Sequence, residues 1–128
     1  MSTENTVTTV KAREKFAKAH KGDITLPTIT KIAFGDGGHN LDGTPIKPTG
    51  TETEVPGEFI RKNIDGMSLP ISTTLQILGN LDFGEGEGKH VSAVGIYDSD
   101  DDLVALKTFS PKIKDNDTRI DIQWDEKF

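Results

Sequence analysis

Apolar positions along this chain change their spacing several times, and each spacing predicts a different element. Over residues 7–19, Val7, Val10, Phe16 and Ala19, with Ala12 and Ala17 alongside, share one stripe of a helix; Lys11, Arg13, Glu14, Lys15 and Lys18 then face water. Asn5 or Thr6 is the expected N-cap, and Gly22 the stop, with Lys18 and Lys21 near the negative pole. So short a helix cannot hold itself together, so its stripe must dock on a sheet or a partner.

From residue 29 onward the spacing is that of strands. Ile24 and Leu26 lead to Pro27, which suits an entry segment, and residues 29–34 read as the first strand. Residues 35–57 hold six glycines and three of the six prolines, which predicts a loop of about twenty residues, more often functional than idle. Residues 59–64 read as a strand, and residues 69–83 as a longer strand or a pair. Residues 91–97 and 103–109 form a hairpin around an acidic turn, and Ile120, Ile122 and Trp124 alternate with polar residues in a half-buried strand. One helix followed by four to six mostly antiparallel strands predicts an α+β fold, the helix packed on the sheet, in a single domain over residues 1–128.

Composition narrows the function. Hydrophobic residues make up 33% of the 128, with 13 glycines and 6 prolines, so a thin core and long loops are expected. The chain has no cysteine, which excludes disulfides and thiolate metal sites. Net charge is -6 and the pI about 5.0, which argues against a nucleic-acid partner. No apolar run approaches the ~20 residues of a membrane span. Met1-Ser2-Thr3-Glu4-Asn5 has no basic or apolar segment, so no secretory signal is expected and folding takes place in a cytoplasm.

Candidate chemistry is sparse. Gly35-Asp36-Gly37-Gly38 suits a sharp bend or a close backbone approach, with Asp36 accepting turn N–H groups. A phosphate loop would lead into a helix and carry a Lys-Ser/Thr pair, and here more turn follows. Asp98, Asp100 and Asp102 are weak candidates for calcium, because the EF-hand pattern needs Gly and Glu where Leu103 and Phe109 stand. His20, His39 and His90 lack any zinc spacing. No nucleophile–base arrangement is visible, so no catalytic residue and no cofactor is expected. Arg61 and Lys62 stand out as a basic pair in acidic surroundings, and Trp124 and Phe128 either cap the core or dock a neighbour.

Three blocks resemble the N-terminal domain of phage tail-collar fibre proteins. Residues 30–38 are similar to its strand and Gly-Asp-Gly-Gly turn. Glu58-Phe59-Ile60-Arg61-Lys62 resembles its acidic-aromatic-Arg block. Gly95-Ile96-Tyr97-Asp98 with Leu103-Val104-Ala105 resembles its Gly-Leu-Tyr-Asp hairpin. Ala93 stands where members often carry Glu, and Asp101 where they carry Gly. Members usually continue into a shaft and tip, whereas this chain stops at Phe128.

The resemblance implies a non-enzymatic structural protein of a phage tail or tail-like particle, assembled in the host cytoplasm. By the same resemblance it is expected to attach tail fibres to the baseplate or form part of it, and to work as a homotrimer with other tail or baseplate proteins. The helix and the 35–57 loop are expected at contacts, with Phe16, Phe59, Arg61, Lys62, Trp124 and Phe128 as interface candidates. The alternative is a small carbohydrate- or calcium-binding β module for host recognition, with Tyr97, Trp124 or Phe109 beside carboxylates. A cell-wall hydrolase stands third.

Overall fold

The computed structural model describes residues 5–128; Met1 to Glu4, most of the segment in which no secretory signal is expected, lie outside them. In chain order the elements are β1 (Thr6–Thr8), α1 (Val10–Lys21), β2 (Ile29–Gly35), β3 (Glu58–Asn63), β4 (Gly66–Ile71), β5 (Thr74–Leu81), β6 (His90–Asp98), β7 (Leu103–Ile113) and β8 (Ile120–Lys127). They build two antiparallel sheets, one ordered β1-β7-β6-β2-β3 and the other β4-β5-β8.

This overturns the expected α+β arrangement. The fold is mostly β, with one helix of 12 residues among the described residues, and a second sheet covers the first. Ile32 and Phe34 of β2, Val94 and Ile96 of β6, and Ala105 of β7 meet Ile77, Leu81 and Trp124 of the smaller sheet in the main core. Each fully buried Ile, Leu, Val or Phe among them contributes roughly 1.5–3 kcal/mol. The helix buries only Ala12 and Lys15.

The helix also begins later than its apolar stripe predicts. Val7 belongs to β1, paired with Leu106 of β7, because the β-branched run Thr6-Val7-Thr8 suits a sheet edge. Thr9, not Asn5 or Thr6, is the N-cap; its Oγ1 accepts the Ala12 N–H at 3.1 Å. At the other end Gly22 takes φ +91°, and the Asp23 N–H reaches the Lys18 carbonyl at 2.9 Å, closing the last turn.

The other face of the large sheet is covered by the long 36–57 connection. Ala33, Ala93, Tyr97, Leu103 and Leu106 form a second cluster there around Val55 of that loop. The loop is tied down along its length: Val10 N–H donates to the Gly50 carbonyl at 2.8 Å, and Thr108 Oγ1 to the Ile46 carbonyl at 2.7 Å. Burial on both faces explains why β6 is buried from Val91 through Asp98.

Candidate functional site

The three sequence blocks meet at one corner of the large sheet, around Val55-Pro56-Gly57. Antiparallel pairing sets Ala33 against Gly95 and Gly35 against Ala93. Two bare glycine positions therefore leave a socket between β2 and β6, and Val55 fills it. A Cβ on Gly95 would lie 2.6 Å from Val55 Cγ2, and one on Gly35 would run into the Pro56 carbonyl and lie 2.9 Å from Val55 Cγ1. Asp36 and Gly37 then donate their N–H groups to the Gly57 and Pro56 carbonyls at 3.2 and 3.1 Å.

The Gly-Asp-Gly-Gly turn thus serves close backbone approach, and none of its three glycines needs a positive φ. Gly38 rests against the Ser92 carbonyl, and its N–H donates to Ser92 Oγ at 2.8 Å. The Asp36 carboxylate stands 3.8 Å from Lys89 Nζ.

Beside the socket, Glu58, Arg61 and Tyr97 form one network. Arg61 grips Glu58 through Nε at 3.1 Å and Nη2 at 2.9 Å, and its guanidinium lies over the Tyr97 ring, 3.7 Å from the centroid. Tyr97 donates its O–H to Glu58 Oε1 at 2.5 Å and accepts the Val55 N–H at 3.0 Å. Burial, and then the Glu58 carboxylate, push the Tyr97 phenol well above its ordinary range, so it stays a donor. The acidic-aromatic-Arg block and the Tyr of the hairpin block therefore act on each other within one chain.

Across the sheet the acidic hairpin tip holds a lysine. Lys15 Nζ lies 2.7 Å from Asp98, 3.1 Å from Asp100 and 2.7 Å from Asp102, whose carboxylate oxygens sit within 4.8 Å of one another. The expectation that Lys15 faces water is overturned: it is 8% exposed. Burial alone would lower its pKa, but the hydrogen bonds to Asp102, Asp98 and Asp100 outweigh that and raise it. The ammonium stands where a cation would have to bind. Asp98 Oδ1 also accepts the Asp100 and Asp102 N–H groups, at 2.9 and 3.1 Å, and shapes the turn. Asp101 has φ +62°, the one positive value among non-glycine described residues.

The remaining candidates are scattered. Trp124 is buried in the main core, its Nε1 donating to Glu126 at 2.6 Å, and Phe59 packs partly buried against that core. Lys62 bonds Asn80 and Glu85. His39 Nδ1 meets Ser92 Oγ at 2.7 Å, while His20 and His90 are exposed on other elements, so the three do not converge. Phe16 and Phe128 flank an apolar groove of about 210 Å³ that also touches Leu26, Met67, Val104 and Glu126. Phe128 is 76% exposed and Leu26 47%.

Sequence reasoning missed Lys15, Val55 and Ser92. For Lys15 a signal existed: four aspartates in five residues call for a nearby cation. Val55 is an apolar residue among Thr, Glu and Pro, but Leu41 and Ile46 share its loop, and nothing local marks which of the three is buried.

This corner carries backbone contacts, ion pairs and a plugged socket on a β-sandwich of two antiparallel sheets. The chain belongs to the family of phage tail-collar fibre proteins, N-terminal domain, whose family model matches residues 1–121. That family is structural, which places the chain in the phage tail among tail-fibre components and their associated tail proteins. No curated protein and no solved structure matches the chain significantly.

Proposed function

We propose that this domain attaches tail fibres to the baseplate as a homotrimer, without catalysis, and that its contact surface is the α1 end of the sandwich. The observation that carries this is the open groove at that end. Phe16, Leu26, Met67 and Phe128 gather there beside the helix, and no strand or loop of the chain covers them among the described residues. Apolar groups left in water in this way favour association, at roughly 25 cal/mol per Å² covered.

The family corner, by contrast, turns its residues on one another. Arg61, Lys62 and Trp124 have partners within the chain, so their role in this reading is to hold the platform rather than to touch a neighbour. Tyr97 and Trp124 are buried and Phe109 is half-buried, which speaks against the aromatic platform that a sugar-binding module needs. The Lys15 ammonium sits among Asp98, Asp100 and Asp102, in the space that a calcium ion would need.

Light scattering behind size exclusion tests the proposal on the wild type and on Phe16→Glu. The expected result is a trimer for the wild type and a folded monomer for the variant. A wild-type monomer that also fails to bind isolated baseplates contradicts it.

A further inference from the structure

We propose that Lys62 and Asn80 form an intramolecular isopeptide bond that joins the two sheets. Lys62 lies on β3 of the large sheet and Asn80 on β5 of the small one. Lys62 Nζ approaches Asn80 Oδ1 to 3.2 Å. Two carboxylates flank the pair: Glu85 Oε1 lies 2.6 Å from Nζ, and Asp65 Oδ2 accepts from Asn80 Nδ2 at 2.6 Å. Asn80 is 8% exposed, so water has little access to its carboxamide.

The sheets are brought together here by a missing side chain. Gly79, next to Asn80, faces Ile32, and a Cβ at Gly79 would lie 2.7 Å from Ile32 Cδ1. Ile32 is in turn the cross-strand partner of Lys62. Close approach at Gly79 therefore delivers the lysine to the amide. Glu85 is fixed independently by the Asp82 N–H at 2.8 Å, so its carboxylate does not have to be ordered by the lysine alone.

The chemistry needs an amine, an amide carbon and a proton carrier, and all three are present. Glu85 Oε1, 2.6 Å from Nζ, is the carboxylate oxygen in hydrogen-bond reach of the amine and can take one proton from it. The freed nitrogen bonds to Asn80 Cγ, whose oxygen already faces it. The Cγ–Nδ2 bond breaks, and Nδ2 leaves as ammonia with a second Nζ proton relayed through Asp65. The Glu85 proton passes to that ammonia. In sum, a lysine ammonium and a carboxamide become a secondary amide and an ammonium ion, with no oxidant, reductant or water consumed. In a chain without cysteine this bond would staple the sandwich covalently.

Intact-mass spectrometry of the folded full-length protein tests the proposal, alongside Lys62→Arg and Glu85→Gln. The expected wild-type mass, for most molecules, is that of the sequence less one ammonia, with a branched proteolytic peptide joining the segments that contain Lys62 and Asn80. Both variants should keep their full sequence mass, a readout that does not depend on how stable they are. A wild type at full sequence mass after prolonged incubation overturns the proposal. So does ammonia loss that survives in Lys62→Arg, or conversion of Asn80 to Asp, since either shows that another nucleophile reaches the amide.

Discussion

Val55 lies fully buried against Gly95, so close that a Cβ on that glycine would stand 2.6 Å from Val55 Cγ2. A residue in a long loop thus completes the core on the second face of the large sheet, and its N–H is held by Tyr97. Gly95→Ala must push Val55 or Leu103 aside, because Leu103 Cδ1 also lies 2.8 Å from the added carbon. Overpacking of this kind costs about 1–3 kcal/mol. Urea unfolding should show that loss, and hydrogen exchange should show faster exchange at the Val55 amide; an unchanged midpoint would mean that the socket is not tight.

Lys15→Met should cost about 3 kcal/mol, because it leaves Asp98, 2% exposed, with a buried charge and no cation. The pair also sets two pH limits. Asp102 is held below its ordinary range chiefly by Lys15, so its contribution is present above about pH 4 and lost as pH falls through its folded value. Lys15 is raised, so its contribution is present below about pH 10.4 and lost as pH rises through its folded value. Thermal melts of wild type and Lys15→Met should converge at both extremes. Calcium should leave the wild-type Tm unchanged.

Strands and turns were legible in the sequence where the signal is local. The hairpin of β6 and β7 shows in its two apolar runs and acidic turn, and β2 in its run into glycine. What covers the sheet was not legible. Ile77 pairs with Trp124 across a stretch that includes two strands of the other sheet, and no local period reports such a partner. The same holds for Val7, whose place in β1 depends on Leu106. A helical stripe drawn through Val7 and Val10 was therefore plausible residue by residue and wrong in three dimensions. The candidate site was half legible. The glycines and the Glu58–Arg61 block could be seen as unusual, whereas their joint purpose, a socket for Val55, needed the register of β2 on β6.

Glu126 gives a second pH signature with the opposite sign. It lines the apolar groove, and burial raises its pKa, only partly offset by the Trp124 N–H. A carboxylate with a raised folded pKa destabilises the fold when ionised, so stability rises as pH falls from neutral through that value. Glu126→Gln keeps an acceptor for Trp124 and removes the charge. It should raise Tm at neutral pH, with the gain vanishing at acidic pH where Glu126 is protonated. An equal Tm at neutral pH would show that the carboxylate is already well solvated.

The measurement that bears most directly on the assembly account uses the absence of cysteine. Single substitutions Phe128→Cys and Leu41→Cys each introduce one thiol, at sites 76% and 109% exposed in the single chain. If the α1 end is the contact surface, a maleimide should label Phe128→Cys far more slowly than Leu41→Cys in the native protein, and equally fast in denaturant. Equal native rates would contradict the account and leave that end of the sandwich open to solvent.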